Sequence, residues 1–296
     1  MGIEVFGVRG VPKNPGRQVR GFLQIFSAVL VCLALTACSP EASSNSDALQ
    51  IDSLDLESYS HVSAKLDFEA GTVTLPLETI ELNSPEVGKL RVFAARALVD
   101  SCLAQGGLPA YVWPSRTPEG DDRLYGIWSI SWAATFGYDL PHSTGEEDLA
   151  PISAEQEECF SAASSEMENK LKDIDAVNFD DDVRRAAYTA TLISPEGKAA
   201  LAKAQKCMHD QGLSLDAESG FPELDTSSEY DGEANIRIAV IEATCNVETG
   251  AVQTLYDLTA RYQAALIDRN EAAAVALAEE KAELIQYFAR IIDENS

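Results

Sequence analysis

The chain has 296 residues, with 22 Lys and Arg against 48 Asp and Glu, and a formal net charge of −26. This acidic balance argues against a nucleic-acid-binding protein, which needs a basic surface, and against a domain that lies flat on an anionic membrane. A chain of this length buries a substantial core, as one large domain or as two closely packed lobes.

The N-terminal residues 1–37 are predicted to be a lipoprotein signal peptide. Basic residues, among them Lys13, Arg17 and Arg20, precede an apolar run at 22–37, which is too short to span a bilayer comfortably. The run ends in Leu35-Thr36-Ala37-Cys38, a branched apolar residue, two small residues and a cysteine, as in the bacterial lipobox. We therefore expect lipid attachment at Cys38. Two or more fatty-acyl chains, palmitate among them, would hold the chain stably on the outer face of the cytoplasmic membrane.

Two simpler interpretations of this run are an ordinary cleaved signal and an uncleaved membrane span. The polar Ser39-Pro40-Glu41 that follows favours the lipoprotein interpretation. Removal of the leader takes away four basic residues and one acidic residue. The mature chain then carries 18 basic and 47 acidic residues, a net charge of −29. Such acidity is typical of an exported protein that has to stay in solution.

The segment after the anchor, residues 38–58, is small, polar and acidic, which predicts a flexible tether. A helical extracytoplasmic domain is expected at 59–296, with lobes at 59–180 and 181–296 as one option. Near its start, the β-branched stretch 71–80 predicts a short strand or extended arm.

Helix signals dominate the remaining sequence. Ser84-Pro85-Glu86 and Ser194-Pro195-Glu196 each combine an N-cap residue, a proline at the first helical position and an early acid. Ser153-Ala154-Glu155-Gln156 is a capping box, and Asp180-Asp181-Asp182 is expected to precede a further helix. A helix from about Glu233 is expected to bury Ala234, Ile238, Ile241 and Cys245.

The C-terminal residues after Gly250 contain neither glycine nor proline, which predicts one long helix or a hairpin that breaks near Asp268. Leu277, Leu284 and Ile291 repeat every seven residues, and we expect this stripe to pack within the chain. The predicted fold class is mainly α: a disulfide-stapled helical domain with a short extended or β arm near its N-terminus and a long C-terminal helix or helical hairpin.

Aromatic residues are concentrated between positions 109 and 151. Tyr125, Trp128, Trp132 and Phe136 fall at helical spacing before Gly137, which predicts a single helix. Aromatic faces stack on sugar rings and on partner proteins, although a stripe at helical spacing is more often part of a core. The candidate ligand-binding residues are Tyr111, Trp113, Tyr125, Trp128 and Trp132.

The chain has six cysteines. Cys32 leaves with the signal peptide and Cys38 carries the lipid, so an even number remains for disulfides in an oxidising compartment. Three connectivities are open for these four, Cys102, Cys159, Cys207 and Cys245. The first and third each begin a Cys-x4-Gly-Leu pattern and are followed by a cysteine on a later helix. We expect sequential pairing, Cys102 with Cys159 and Cys207 with Cys245.

Several short motifs resemble a group of secreted lipoproteins of actinomycete bacteria whose members have no established activity. The matching parts are Leu75-Pro76-Leu77-Glu78, Tyr125-Gly126-Ile127 with Ala133-Ala134 and Gly137-Tyr138, Cys207-Met208 with Gly212, and Ala243-x-Cys245. They span most of the mature chain. The resemblance implies a cell-surface lipoprotein and an association of some members with envelope export systems, but no mechanism.

Signals for catalysis are sparse. His61, His142 and His209 lie far apart and in no metal-ligand spacing, and neither a Gly-x-Ser-x-Gly elbow nor a phosphate-binding glycine loop occurs. The acidic stretches 180–182 and 225–232 lack the EF-hand positions for calcium. We therefore expect no metal and no cofactor.

The expected function is that of a non-catalytic surface protein, anchored to the membrane through Cys38. It would act through a protein partner or an envelope polymer, in some settings beside an export system. The alternative is a lipid-anchored hydrolase of the cell envelope, because the many carboxylates can supply a pair for glycoside hydrolysis.

Overall fold

The computed structural model describes residues 49, 51, 53–113, 121–139, 151–172, 177–223 and 232–295. All of them belong to one unit, Ser46–Ser296. The predicted signal peptide 1–37, Cys32 and the predicted lipid-attachment residue Cys38 lie outside the described residues.

The described part of the chain is mainly helical, which confirms the predicted fold class. A β-hairpin of β1 (Lys65–Asp67) and β2 (Thr72–Thr74) is flanked by two 3₁₀ turns, Leu56–Tyr59 and Pro76–Thr79. Eight α-helices follow: α1 Pro85–Gln105, α2 Ile130–Phe136, α3 Ala154–Lys172, α4 Val177–Ile193, α5 Pro195–Asp210, α6 Gly232–Glu248, α7 Ala251–Arg269 and α8 Glu271–Glu294.

The hairpin is the β arm that the sequence predicts, but it is shorter. The strand expected over 71–80 covers only Thr72–Thr74, because Pro76 opens a 3₁₀ turn. Its partner β1 was not predicted. The two strands pair antiparallel, with Leu66 opposite Val73.

Three helix starts coincide with the predicted cap residues. Ser84 precedes α1 and Ser194 precedes α5, where the Ser194 hydroxyl accepts from the N–H of Gly197 at 2.9 Å. The capping box before α3 is reciprocal: Gln156 N–H donates to Ser153 Oγ at 3.2 Å, and Ser153 N–H donates to Gln156 Oε1 at 3.0 Å. These bonds satisfy N–H groups that have no acceptor within the helix.

Two predicted helix boundaries are wrong. The aromatic stripe does not form one helix, because α2 begins only at Ile130, after its N-cap Ser129, and Tyr125 and Trp128 lie in irregular backbone before it. Helix α4 begins at Val177, so the acidic stretch 180–182 lies inside the helix near its start. Acidic side chains there are favoured by the partial positive charge of a helix N-terminus.

Both disulfides form with the sequential pairing. Cys102–Cys159 joins α1 to α3 and Cys207–Cys245 joins α5 to α6, at sequence separations of 57 and 38. Disulfides of this kind are typical of a domain that folds outside the cytoplasm, in an oxidising compartment. Among the helices of the described residues, none has the length and apolar character needed to cross a membrane.

The C-terminal stretch forms two helices that meet at Asn270, and each packs mainly on a different partner. Helix α7 lies against α4 and α5, whereas α8 lies mainly against α1. The heptad stripe of α8 is buried in a cluster with the apolar face of α1, so it packs within the chain as expected. The members of this cluster are Leu82, Val87, Ala94, Met167, Leu277, Leu284, Phe288 and Ile291.

The folded part of the chain reaches back into the segment 38–58. Leu49, Ile51 and Leu54 pack against a cluster that contains Tyr262 and Leu266 of α7. Arg269, the last residue of α7, donates to the carbonyl oxygen of Ser53 at 2.8 Å and to its hydroxyl at 3.1 Å. Arg269 therefore fastens Ser53 beside the junction of α7 and α8.

Candidate functional site

The five aromatic candidates lie in three separate places. Trp128 is 0% exposed and Tyr125 is 3% exposed. Both pack on Tyr256 of α7, with ring centroids 6.0 Å and 5.1 Å away. These two residues belong to the core.

A second aromatic group lies near the Cys102–Cys159 disulfide. The rings of Tyr111 and Trp113 contact Phe160 of α3 at centroid distances of 5.0 Å and 5.6 Å. The guanidinium of Arg96 lies 5.0 Å from the centroid of the Trp113 ring, and the indole N–H donates to Asp100 at 3.0 Å. Trp113 is therefore fixed by contacts within the protein.

Trp132 lies apart from both groups, on α2. Its indole N–H donates to the carbonyl oxygen of Ala70 at 2.9 Å, and its ring contacts Phe136 at 4.7 Å. The aromatic residues that are close in sequence are thus not brought together into a shared ligand site.

A polar concavity, which we call the acidic cleft, lies beside the 3₁₀ turn Pro76–Thr79. Its volume is about 410 Å³, and it is bordered by β2, the start of α1, α4 and α7. Three carboxylates and one guanidinium line it, from Glu78, Glu81, Asp122 and Arg184. The other polar lining residues are Asn83, Thr259 and Gln263. Leucine and valine side chains complete the wall.

Most polar side chains of the acidic cleft are held by other groups of the protein. Arg184 pairs with Glu81 at 2.5 Å. Asp122 accepts hydrogen bonds from the hydroxyl of Tyr256 and from the N–H of Leu124, the latter at 3.0 Å. Thr259 bonds to the hydroxyl of Tyr125 at 2.6 Å. The cleft is therefore a preorganised polar surface.

Glu78 is the carboxylate of the cleft whose ionisation is perturbed. Partial burial raises the pKa of Glu78, and the nearby carboxylate of Glu81 raises it further. Both effects disfavour the charged form. Glu78 is thus held closer to protonation than an exposed glutamate.

A second concavity, which we call the apolar groove, lies on the other side of the same 3₁₀ turn. Its volume is about 650 Å³. Apolar side chains from the turn region, α7 and α8 line it: Val62, Pro76, Ile80, Ala264, Ile267, Ala274, Val275 and Ala278. Its rim carries Tyr59, His61, Asp268 and Glu271, and the Tyr59 hydroxyl donates to Asp268 at 2.6 Å.

The 3₁₀ turn that separates the two concavities is held from both C-terminal helices. Lys281 of α8 is buried, and its ammonium donates to the carbonyl oxygens of Glu78 at 2.8 Å and Thr79 at 3.2 Å. Gln263 of α7 accepts from the N–H of Leu77 at 3.1 Å. The burial of Lys281 could have been predicted from the sequence. Lys281 lies on the same helical face as Leu277 and Leu284, and a lysine on a buried face needs a polar partner.

A third polar group, centred on Glu242 of α6, was also missed from the sequence. Glu242 is 1% exposed and accepts from the N–H of Ile127 at 3.1 Å and from the hydroxyl of Tyr138. Asn246, one turn further on, donates to the carbonyl oxygen of Ile127 at 2.8 Å. Burial raises the pKa of both Glu242 and Tyr138. These groups fasten the segment 121–139 to α6.

This polar contact explains why the buried face of α6 differs from the predicted one. Cys245 is buried as predicted, but Ala234, Ile238 and Ile241 are only half-buried. The other buried positions of the helix include Asn235, Ala239, Glu242 and Asn246. The sequence does contain a signal for this face, because Glu242 lies at helical spacing from both Ala239 and Asn246.

The described residues contain no group of three His, Cys, Asp or Glu side chains that could hold a metal ion. Asp181 and Asp182 form ion pairs with Arg184 and Arg185 on the same helix. His61 lies at the rim of the apolar groove and His209 in the last turn of α5. His142 and residues 225–231 lie outside the described part.

The two concavities therefore offer different chemistry. The acidic cleft presents carboxylates in a fixed frame, and the apolar groove presents aliphatic surface with an acidic end.

Comparison of the chain with protein-family models, with curated proteins and with solved structures finds no match.

Proposed function

We propose that the chain is a lipid-anchored extracytoplasmic protein of the bacterial envelope that acts without catalysis, through a partner bound in the apolar groove. The observation that carries this proposal is the groove itself, in which aliphatic side chains of α7 and α8 line an open concavity. Val275 on α8 is 50% exposed there. Concave apolar surface with a polar rim is typical of binding sites.

The position of the N-terminal segment supports a partner at the same membrane. Arg269 fastens Ser53 next to Asp268, which lies on the groove rim. Ser53, which follows the predicted anchor residue Cys38 by fifteen positions, therefore lies beside the groove. Between Cys38 and Leu49 a fully extended chain spans at most about 40 Å, so an anchored domain stays close to the bilayer. A membrane-bound partner, such as a component of an export system, is within this reach.

Photo-crosslinking in cells tests the proposal. A photoreactive amino acid is placed at Val275 in the groove or, as the control, at Val112, which is 74% exposed outside the groove. We expect a discrete cross-linked product from position 275 that is absent from position 112 and is lost when Cys38→Ala removes the anchor. Identical patterns from the two positions would contradict the proposal.

The second candidate function is a lipid-anchored envelope hydrolase, and the acidic cleft is the observation that favours it. Glu78, Glu81 and Asp122 line one cleft, and the raised pKa of Glu78 suits a general acid that works with a second carboxylate. Under this alternative the protein would release reducing sugar from cell-wall polymer, and Glu78→Gln would abolish the release. Glu283→Gln, at an exposed position of α8, is the matched control.

A further inference from the structure

We infer that the occupant of the apolar groove is a basic amphipathic helix, a segment of a partner protein that lays its apolar face on α7 and α8. This inference rests on the proposed function, which it makes more specific. Three observations lead to it: the small side chains of the groove floor, the acidic rim, and the net charge of the whole chain.

The floor of the groove has room for the backbone of a helix. Ala274 and Ala278 lie one turn apart on α8, and Ala264 faces the same concavity from α7. Alanine side chains let a neighbouring helix approach closely, whereas leucine at these positions would fill the space. From Glu271 to Ala278 the lining extends about 10 Å along α8, which matches about two turns of a docked helix.

The rim selects the charge of this helix. Asp268 ends the α7 side and Glu271 begins α8, so two acidic residues border the junction of the two helices. The Tyr59 hydroxyl donates a single hydrogen bond to Asp268, and a carboxylate has capacity for several more donors. Lysine or arginine at the edge of a docked helix would meet these carboxylates, and complementary charges of this kind steer association and fix the register.

The charge of the whole chain argues against the other occupants. A second copy of the chain would bring another net charge of −26 to the same acidic rim. The surface of an anionic membrane would be repelled in the same way. A helix with apolar residues at positions i, i+3, i+4 and i+7, and lysine or arginine beside them, satisfies both the floor and the rim.

Peptide binding to the full chain, exported with Cys38→Ala so that no lipid is attached, tests this inference. The probes are a labelled helical peptide of about fourteen residues with leucine and alanine on one face and lysine on the other, and its counterpart with glutamate in place of lysine. We expect the lysine peptide to bind, measured by fluorescence anisotropy, and the glutamate peptide to bind at least about tenfold more weakly, equivalent to about 1.4 kcal/mol.

Point variants localise the binding. Val275→Gln removes apolar surface from the groove, and Glu271→Gln removes a rim charge. Each is expected to weaken binding of the lysine peptide severalfold. Val112→Gln and Glu283→Gln, at exposed positions outside the groove, are the matched controls and should leave binding unchanged. Circular dichroism confirms that each variant is folded.

Three results would overturn the inference: equal binding of the two peptides, equal effects of the groove and control variants, or binding of phospholipid vesicles in preference to the lysine peptide. The first would show that the charge of the rim does not select the helix, the second would show that the peptide binds outside the groove, and the third would make a lipid the occupant. Cross-links from position 275 in cells without peptide binding would overturn the helix as occupant and leave the proposed function standing. Peptide binding without such cross-links would overturn the proposed function in cells, although the groove would still bind a basic helix.

Discussion

The carboxylate of Glu242 accepts the backbone N–H of Ile127 at 3.1 Å, although the two residues are 115 positions apart in the chain. Asn246 donates to the carbonyl oxygen of the same residue at 2.8 Å. Both backbone polar groups of Ile127 are thus satisfied by side chains of one helix, in a place where no neighbouring strand among the described residues supplies partners.

Gly126→Ala is expected to destabilise the protein, because the glycine allows this approach. The backbone of Gly126 has a φ of +87°, and a Cβ atom there would lie 2.2 Å from the Glu242 carboxylate oxygen. We expect a loss of about 1–3 kcal/mol in the free energy of unfolding, measured by urea denaturation.

Gly88→Ala is the matched control for this prediction. Gly88 lies inside α1, and a Cβ atom there would meet nothing within 4 Å. Alanine should stabilise the helix there by about 0.5–1 kcal/mol. Equal effects of the two substitutions on the free energy of unfolding would show that a side chain at Gly126 is tolerated, and would contradict the prediction.

Glu242→Gln should change how stability depends on pH. Burial raises the pKa of Glu242 in the folded state, so the folded protein binds this proton more tightly than the unfolded chain. Arg123, Asp121 and Tyr138 are the charged or titratable groups that interact with it. Relative to Glu242→Gln, the wild type should gain stability as the pH falls through the folded pKa and level off below the unfolded pKa.

Urea unfolding midpoints of the wild type and Glu242→Gln between about pH 4 and 8 would measure this difference. Glu248→Gln, at an exposed position of the same helix, should follow the wild type in parallel. A constant difference between the wild type and Glu242→Gln over the whole range would contradict the raised pKa.

Lys281→Met should loosen the 3₁₀ turn between the acidic cleft and the apolar groove. Methionine keeps the apolar stem of lysine but leaves the carbonyl oxygens of Glu78 and Thr79 without their ammonium donor. We expect a loss of about 1–3 kcal/mol in the free energy of unfolding. Lys203→Met, at an exposed position of α5, should be nearly neutral, and equal losses would argue against a role of Lys281 in holding the turn.

Removal of either disulfide, as Cys102→Ala with Cys159→Ala or as Cys207→Ala with Cys245→Ala, should lower stability by similar amounts. The loops close over 57 and 38 residues, and loop entropy varies only logarithmically with length, so each bond contributes about 4 kcal/mol at most. Denaturation of the two double variants would measure these losses. A non-reducing peptide map that links Cys102 to Cys207 would contradict the pairing.

The parts of the fold that could be predicted depend on nearby residues. The reciprocal bonds of Ser153 and Gln156 join residues three positions apart, so the capping box is visible in the sequence. The stripe of Leu277 and Leu284 on α8 is visible for the same reason. A pattern repeated every few residues determines which side of a helix is buried.

The parts that could not be predicted depend on distant residues. Tyr125 and Trp128 have helical spacing, yet their contacts with Tyr256 hold them in irregular backbone before α2. The two concavities also arise from distant segments, since Glu78 and Asp122 share a cleft with Thr259. The local sequence pattern does not predict contacts between distant segments. A charged residue on an otherwise buried helix face, such as Glu242 or Lys281, does indicate that such a contact exists.

The attachment of segment 121–139 through side chains has an evolutionary consequence. A strand held by backbone hydrogen bonds tolerates changes of its neighbours' side chains, but this segment depends on the particular atoms that Glu242 and Asn246 supply. Substitutions at these two positions should be accepted only together with compensating changes at Gly126 or Tyr138. Among homologous chains, these positions should covary across more than a hundred residues of sequence, while the exposed face of α6 drifts freely.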